Sequence, residues 1–306
     1  MKSVFHPLAW LAAIAVSCDA NDLGGPNPEG AGGPVETLAG EPLIAIPAGE
    51  LLAGVGDERR PDSDGIEVQV AAFGIEAHEV TNDRFAAFVR ATQHVTDAEA
   101  IGDSLVFTAE SGWRVVPGAD WRHPRGPEDS IEGLGSHPVV QVSLADARAF
   151  AAWAGRRLPT EAEWEWAARG GLRGARYVWG EELRPGGKPE ANCWQGVFPE
   201  RNLLEDGFGE TAPVGSFGAN GYGLHDVSGN VWEWVDTRRQ TGPLGALHEP
   251  RTPTTEAGLD FQIRGGSFLC AENYCQGYRP GARQFKLERD ASNNVGFRCA
   301  GDGPAD

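Results

Sequence analysis

The sequence contains few cysteines and few basic residues. Only 5 of its 306 residues are cysteine, which is too few for a disulfide scaffold and leaves the core to hydrophobic burial. Lys and Arg number 26 against 44 Asp and Glu, and the formal net charge is -18. A surface of this sign repels phosphate groups. The composition therefore argues against binding to nucleic acid and against charge-driven binding to an anionic membrane.

The sequence near the N-terminus has the pattern of an export signal. Lys2 is followed by the apolar run Leu8–Val16, which is too short to span a bilayer. Ala15–Cys18 resembles a bacterial lipobox, in which Cys18 would carry the lipid and become the new N-terminus. Ordinary cleavage after Ser17 is the alternative. We predict an exported protein, in the periplasm or on the cell surface of a bacterium, that meets the membrane only through a lipid anchor.

The rest of the chain divides into a tether and one large domain. Residues 18–41 are rich in Gly, Pro and acidic residues and have little to bury, so they are predicted to form a flexible tether after the export signal at 1–17. Residues 42–302 form the predicted domain. With 42 glycines, 21 prolines and 10 tryptophans in the chain, we expect an α+β fold with little regular secondary structure and large aromatic side chains in its core.

Local patterns predict a few short elements. Residues 45–54 and 66–75 partly alternate apolar and polar residues between glycines, which is typical of half-buried strands. Helices are predicted to begin after Thr81, Ser143 and Thr160, because each hydroxyl residue can cap the first turn of the segment that follows. No second domain boundary is apparent.

Cys270 and Cys275 are separated by four residues and follow the Gly-Gly sequence of Arg264–Ser267. Two neighbouring thiolates suit Cu(I), zinc or a reversible disulfide. Structural zinc would need further ligands, and no second ligand pair of the usual spacing stands nearby. A local disulfide that staples the loop remains the alternative to a redox or soft-metal site.

Several segments, taken in order, resemble the formylglycine-generating enzyme (sulfatase-modifying factor) family. They are His78–Asn82, Gly102–Phe107, Ala119–Pro124, His137–Ser143, Trp153–Glu165, Gly221–Trp234, Arg264–Ser267 and Asn294–Cys299. The resemblance covers nearly all of the predicted domain. It implies a single-domain variant of the C-type-lectin-like fold. We expect the protein to be a monomer.

The same resemblance implies an activity. Cys270 and Cys275 would hold Cu(I), and a cysteine in a Cys-x-Pro-x-Arg segment of an unfolded sulfatase would be converted to Cα-formylglycine by molecular oxygen and a thiol reductant. Ser267 matches the active-site serine of the family. Trp232 matches a position that lines the pocket in the family, although a tryptophan in such a chain can also be simply a core residue, and Trp232 and Tyr274 are predicted to contact substrate. A catalytically silent, membrane-anchored binding or scaffold module of the same fold is the alternative, because superfamily members share segments without sharing the activity.

Two structural Ca²⁺ sites are implied by position. Each set mixes side-chain oxygens with backbone carbonyls, as calcium prefers. The first set is Asn192, the Cys193 carbonyl, Asp206 and the Phe208 carbonyl. The second set is Asp226, the carbonyls of Gly229 and Val231, and Glu233.

The sequence departs from the family pattern near the thiol pair. Ala271 stands where members usually have a histidine directly after the first cysteine, so no imidazole is available there to donate a proton. Slower turnover or a shifted substrate preference is expected. Cys193 and Cys299 are predicted to be unpaired, and Cys299 to be buried as a small hydrophobic residue.

Overall fold

The computed structural model describes residues 40–55, 65–238 and 260–302. All of them belong to one compact unit, Val35–Asp306. The predicted export signal, Cys18 and all of the tether before Gly40 lie outside the described residues. The first strand begins at Leu43, close to the predicted start of the domain at residue 42.

The described ranges contain short helices and strands joined by long irregular segments. The α-helices are α1 Asn82–Thr92, α2 Asp97–Ile101, α3 Leu144–Trp153 and α4 Glu161–Ala168, and Pro185–Gly187 forms a 3₁₀ turn. The strands are β1 Leu43–Ile46, β2 Gly49–Ala53, β3 Ile66–Val70, β4 Phe73–Glu76, β5 Asp103–Thr108, β6 Gly112–Pro117, β7 Gly196–Val197, β8 Arg201–Asn202, β9 Trp232–Arg238, β10 Asp260–Arg264, β11 Gln284–Leu287, β12 Val295–Gly296 and β13 Ala300–Asp302. The predicted α+β fold with little regular structure is confirmed.

The three helices expected from their caps begin where the sequence predicts. The Thr81 side chain accepts a hydrogen bond from the Arg84 N–H ahead of α1. Ser143 and Thr160 each form a capping box, in which the side chain three residues into the helix returns a bond to the cap N–H. These caps depend only on residues three apart, so the sequence alone specifies them.

The strands are shorter than predicted. Residues 45–54 span the end of β1 and all of β2, which are interrupted at Pro47 and Ala48. Pro47 has no N–H to donate to a neighbouring strand, which accounts for the break. Residues 66–75 likewise divide into β3, which pairs with β2, and β4, which pairs with β1 and β13.

A four-stranded sheet in the order β11-β10-β9-β12 brings distant segments together. Trp232 at the start of β9 is level with Val295 in β12, and Glu233 is level with Arg264 at the end of β10. The loops that precede β9 and β12 and the loop that follows β10 therefore meet at one edge of the sheet. The candidate site lies at that edge.

Candidate functional site

Cys270 and Cys275 are next to each other in space. Their sulfurs are joined as a disulfide, and their Cα atoms are 4.7 Å apart. Both side chains are buried in the largest apolar cluster, together with Trp232 and Tyr278. The Gln284 side-chain amide lies 3.7 Å from the Cys275 sulfur. The fold thus brings together the two sulfurs that sequence analysis singled out, in the form of the loop-stapling disulfide.

The backbone conformation before the thiol pair requires glycine at both positions of the Gly-Gly sequence. Gly265 and Gly266 have φ angles of 90° and 76°, in the left-handed region that favours glycine. A Cβ atom on Gly266 would lie 2.5 Å from the Tyr278 backbone nitrogen. The two glycines therefore allow the chain to turn sharply out of β10 and to pass close to the segment after Cys275.

Two backbone hydrogen bonds fix this turn to the segment before β9. The Gly229 N–H donates to the Gly265 carbonyl at 2.8 Å, and the Phe268 N–H donates to the Asn230 carbonyl at 2.9 Å. Behind the turn, the fully buried Arg264 is held by Glu161 at 3.0 Å and by Glu165 at 2.7 Å. Helix α4 and the segment before β9 thus jointly position the loop that carries the cysteines.

Ser267 is fully buried, three residues before Cys270. Its Oγ accepts hydrogen bonds from the Asn294 side-chain amide at 3.1 Å and from the Leu269 N–H at 3.3 Å. Its carbonyl accepts from the Cys270 N–H at 2.8 Å. Asn294 was not singled out from the sequence, although it begins the motif Asn294–Cys299. Its contact with Ser267 joins two segments that are far apart in the chain.

The two predicted substrate-contacting aromatics differ in exposure. Trp232 is 2% exposed and belongs to the core, whereas Tyr274 is 54% exposed. The Tyr274 ring stacks on Phe198, with centroids 4.1 Å apart. Ala271, directly after Cys270, is buried with Phe268 and Trp194.

A shallow cleft opens next to this region. Glu272, from the loop between the cysteines, lines it with Trp179, Leu183, Cys193 and Tyr278. Tyr278 belongs to the apolar cluster that contains the thiol pair, and Trp179, Leu183 and Cys193 pack against that cluster. The cleft therefore reaches the loop between the cysteines, while the sulfurs themselves are buried beneath the surface.

The residues of the first predicted calcium set are neighbours in the structure. The Asp206 carboxylate accepts hydrogen bonds from the Cys193 N–H at 3.1 Å and from the Phe208 N–H at 3.0 Å. The Gln195 side-chain amide bridges Asp206, at 2.5 Å, and the Cys193 carbonyl. The Asn192 Oδ1 is buried and has no hydrogen-bond partner, and burial raises the pKa of Asp206. An oxygen-rich site with an unsatisfied acceptor fits a hard cation.

The second predicted set lies close by. One Asp226 oxygen accepts from the Gly215 N–H at 2.6 Å, and the other is buried with no hydrogen-bond partner. Burial raises the pKa of Asp226. Glu233 is held by Arg298, with Nε to oxygen at 2.7 Å, and by the Trp164 indole at 2.8 Å.

Glu79 joins this acidic group, although the sequence analysis did not single it out. Burial first, and then the charges of Asp226 and Glu233, raise its pKa well above the usual value for glutamate. Burial thus favours the neutral form of Glu79 beside Asp226, Glu233 and Arg298, and a bound divalent ion would favour the ionised carboxylates instead. Glu79 lies within the motif His78–Asn82, which is the one signal that could have marked it.

Carboxylates alone do not form a metal site in the part of the chain that the structure describes. No group of three or more His, Cys, Asp or Glu side chains is arranged there to hold an ion. Either calcium set would therefore depend on amide and backbone carbonyl oxygens as well. Both predicted sets contain such oxygens.

The free cysteines agree with the sequence analysis. Among the described residues, Cys193 and Cys299 are unpaired, and Cys299 is fully buried. Burial, followed by the charge of Asp206, raises the pKa of the Cys193 thiol, and burial raises that of Cys299. Both are therefore thiols rather than thiolates at neutral pH, unlike the reactive thiolates of metal or redox sites.

Comparisons with known proteins identify the family. The domain described as "Sulfatase-modifying factor enzyme 1-like domain" matches residues 32–303. A formylglycine-generating enzyme from Thermomonospora curvata is 46% identical, over 85% of this chain and 93% of its own length. An inactive C-alpha-formylglycine-generating enzyme 2 from Mus musculus is 39% identical, over 84% of this chain and 85% of its own.

The fold agrees with that assignment. The solved structure of PvdO from Pseudomonas aeruginosa superposes with a TM-score of 0.59 at 27% identity, covering 85% of this chain and 94% of that one. The cysteine pair on its Gly-Gly turn, the matched segments and the fold agree, and the chain belongs to the formylglycine-generating enzyme (sulfatase-modifying factor) family.

Proposed function

We propose that this protein oxidises a cysteine in a Cys-x-Pro-x-Arg segment of unfolded sulfatases to Cα-formylglycine. The observation that carries the proposal is the adjacency of Cys270 and Cys275 on the Gly-Gly turn of this fold. The 46% identity to a relative named for this activity supports it. Similarity alone does not decide the matter, because a relative named as inactive is 39% identical.

Reduced Cys270 and Cys275 would be the copper ligands. Thiolate sulfur is the donor that Cu(I) prefers, and two protein donors leave room for the thiolate of a substrate cysteine. Bound copper would supply a centre at which oxygen can accept electrons. The disulfide must be opened by a thiol reductant before these sulfurs can act as ligands.

Ser267 is suited to orient a reacting group. Two N–H groups donate to its Oγ, and no acceptor for its own O–H is found among the described residues. The hydroxyl can therefore donate a hydrogen bond to a substrate sulfur or to an oxygen species next to the thiol pair. Asn294 would fix the direction of that hydroxyl.

The overall reaction balances with the proposed reactants. The substrate cysteine loses its Cβ–S bond and gains a C=O bond, and its sulfur leaves as sulfide. Oxygen accepts electrons from the cysteine and from the thiol reductant, which becomes a disulfide, and the second oxygen atom leaves as water. The exposed Tyr274 at the loop surface is proposed to contact the peptide.

We further propose two structural Ca²⁺ ions, at the set Asn192, Cys193, Asp206 and Phe208 and at the set Asp226, Gly229, Val231 and Glu233. The buried, unpartnered oxygens of Asn192 and Asp226 support them. In the first set, the Gln195 amide would have to move to admit the ion.

We also propose that the protein acts as an exported monomer, in the periplasm or on the bacterial surface, anchored through a lipid on Cys18. The sequence pattern at Ala15–Cys18 supports the anchor. Within the described ranges, no helix is long and apolar enough to cross a membrane.

A second candidate is a binding or scaffold module without catalysis. The disulfide between Cys270 and Cys275 favours it, since an oxidising exterior would keep the pair closed. Copper content separates the two functions. About one Cu(I) per chain after mild reduction supports the oxidase, whereas a disulfide that resists mild reductant and takes up no copper supports the module.

The direct test is mass spectrometry of a Cys-x-Pro-x-Arg peptide incubated with the purified protein, Cu(I), oxygen and a thiol. We expect the peptide aldehyde, and we expect Cys270→Ser to abolish both copper binding and product. Cys299→Ala is the matched control, because it removes a buried thiol outside the pair and should retain both. Folded, copper-loaded protein that yields no aldehyde from several such peptides would contradict the oxidase.

A further inference from the structure

One asparagine side chain ties the loop between the cysteines to the hairpin β7–β8. Asn273 Oδ1 accepts a hydrogen bond from the Phe198 N–H at 3.1 Å, and Asn273 Nδ2 donates to the Phe198 carbonyl at 3.0 Å. The amide thus satisfies both backbone groups of one residue, as a neighbouring strand would. Neither the proposed copper ligands nor the calcium sets include Asn273.

Aromatic stacking strengthens the same contact. Tyr274, the next residue, stacks on the Phe198 ring, with the planes inclined by 15°. Phe198 in turn stacks on Phe107, with centroids 5.1 Å apart, and meets Trp194 edge-on at 5.1 Å. Phe198 is therefore held from several sides, and it offers Asn273 a fixed partner.

The same segment also contacts the start of the loop. The Trp194 N–H donates to the Cys270 carbonyl at 3.0 Å. Residues 194–198 therefore hold the loop at Cys270 and again at Asn273 and Tyr274. Glu272, Asn273 and Tyr274 are exposed between the buried cysteines, so without this support the loop would be free to move.

We propose that Asn273 is a positioning residue for the thiol pair. By binding Phe198 it limits the motion of the loop, keeps Cys275 close to Cys270 and presents Tyr274 to the peptide. The effect on the peptide rests on the proposed function. The effect on the two sulfurs does not.

The first test measures how readily the pair closes into a disulfide. The full chain and its Asn273→Ala variant are equilibrated in buffers of graded oxidised and reduced dithiothreitol, and free thiols are trapped by alkylation and counted by mass. A freer loop lowers the effective concentration of one sulfur at the other. We expect the equilibrium constant for closure to fall about three- to tenfold in Asn273→Ala.

Two variants serve as references. Asn273→Asp keeps the acceptor for the Phe198 N–H and loses the donor, so its shift should be smaller than that of Asn273→Ala. Gln69→Ala removes an exposed amide that bonds Glu50 at 3.2 Å in the β2–β3 pair, and it should match the parent. If circular dichroism shows that Asn273→Ala is unfolded, the closure constant of Asn273→Asp is compared with that of the parent instead. A closure constant equal to the parent's would then overturn the inference.

The second test separates binding from turnover. We expect Asn273→Ala to raise KM for the Cys-x-Pro-x-Arg peptide by more than it lowers kcat. Folded Asn273→Ala with the parental closure constant and the parental KM overturns the inference. If the parent itself forms no aldehyde, the proposed function fails, and the closure constant alone still decides the role of Asn273.

Discussion

At the scale of the residue, the turn before the thiol pair depends on Gly266 having no side chain. Its φ of 76° and the backbone nitrogen of Tyr278 next to it both exclude a Cβ atom. Gly112 also has a positive φ, of 66°, but a Cβ there would meet nothing within 4 Å. A side chain at Gly266 would therefore meet both backbone strain and a steric clash, whereas a side chain at Gly112 would meet only backbone strain.

We predict that Gly266→Ala lowers the free energy of unfolding by about 2–5 kcal/mol, because left-handed strain and an overlap with Tyr278 add together. Gly112→Ala should cost only the strain, about 1–2 kcal/mol. Urea denaturation of the parent and both variants measures the difference. Equal losses at the two glycines would show that the close approach to Tyr278 has no energetic importance.

The sequence identified some site residues and could not identify others. Cys270, Cys275 and Ser267 stand out because they lie together in one short segment. Asn294 and Asn273 do not, because their importance comes from contacts with Ser267 and Phe198, which are distant in the chain. A single sequence gives no signal for such pairings.

At the scale of the element, helix α4 supports the loop of the thiol pair through buried charges. Its Glu165 is fully buried and binds Arg264 at 2.7 Å and Arg169 at 2.7 Å. Burial opposes ionisation of Glu165, but the charges of Arg169, Arg264 and Arg283 outweigh it and lower its pKa. Glu165 is therefore charged in the folded protein at neutral pH.

We predict that Glu165→Gln lowers the free energy of unfolding by about 3–5 kcal/mol at pH 7, because it removes a buried counter-charge that pairs with both Arg169 and Arg264. Since the folded pKa is depressed, the stabilisation by ionised Glu165 is complete above the unfolded pKa and is lost as pH falls through the folded pKa. The gap between parent and variant should shrink over that acidic range.

Chemical denaturation from neutral to acidic pH measures this gap. Glu50→Gln is the control, because the contacts of Glu50 with Arg173 and Gln69 are both exposed, and an exposed ion pair is worth about 0–1 kcal/mol. A gap between parent and Glu165→Gln that stays constant with pH would contradict the proposed origin of the effect.

The elements also show where prediction from sequence ends. The capped helices were predicted because capping needs only residues within one turn. The pairing of β9 with β12, or of β4 with β13, joins segments far apart in the chain. The resemblance to a family predicted the fold, whereas local pattern alone did not give the strand order.

At the scale of the whole molecule, calcium is expected to offset part of the net charge of -18. We predict that Ca²⁺ at about 100 times its Kd raises the free energy of unfolding by about 2.7 kcal/mol per site and that a chelator reverses the gain. Calorimetry should find two equivalents per chain, and Asp206→Asn and Asp226→Asn should each lose one.

Glu128→Gln is the control for these two variants. It also removes one negative charge, but at an exposed position, and it should still bind two equivalents of Ca²⁺. Thermal unfolding that is indifferent to calcium and chelator in the parent would count against both sites.

Two hydrogen bonds made by consecutive residues connect Asp206 to the thiol pair. The Cys193 N–H donates to Asp206, and the N–H of the next residue, Trp194, donates to the Cys270 carbonyl. An ion held by Asp206 would tighten one end of this connection, with the thiol pair at the other. If the chain is exported and binds calcium as proposed, it would reach its working shape only where calcium is available. We expect the timing of maturation to follow the calcium content of the surroundings.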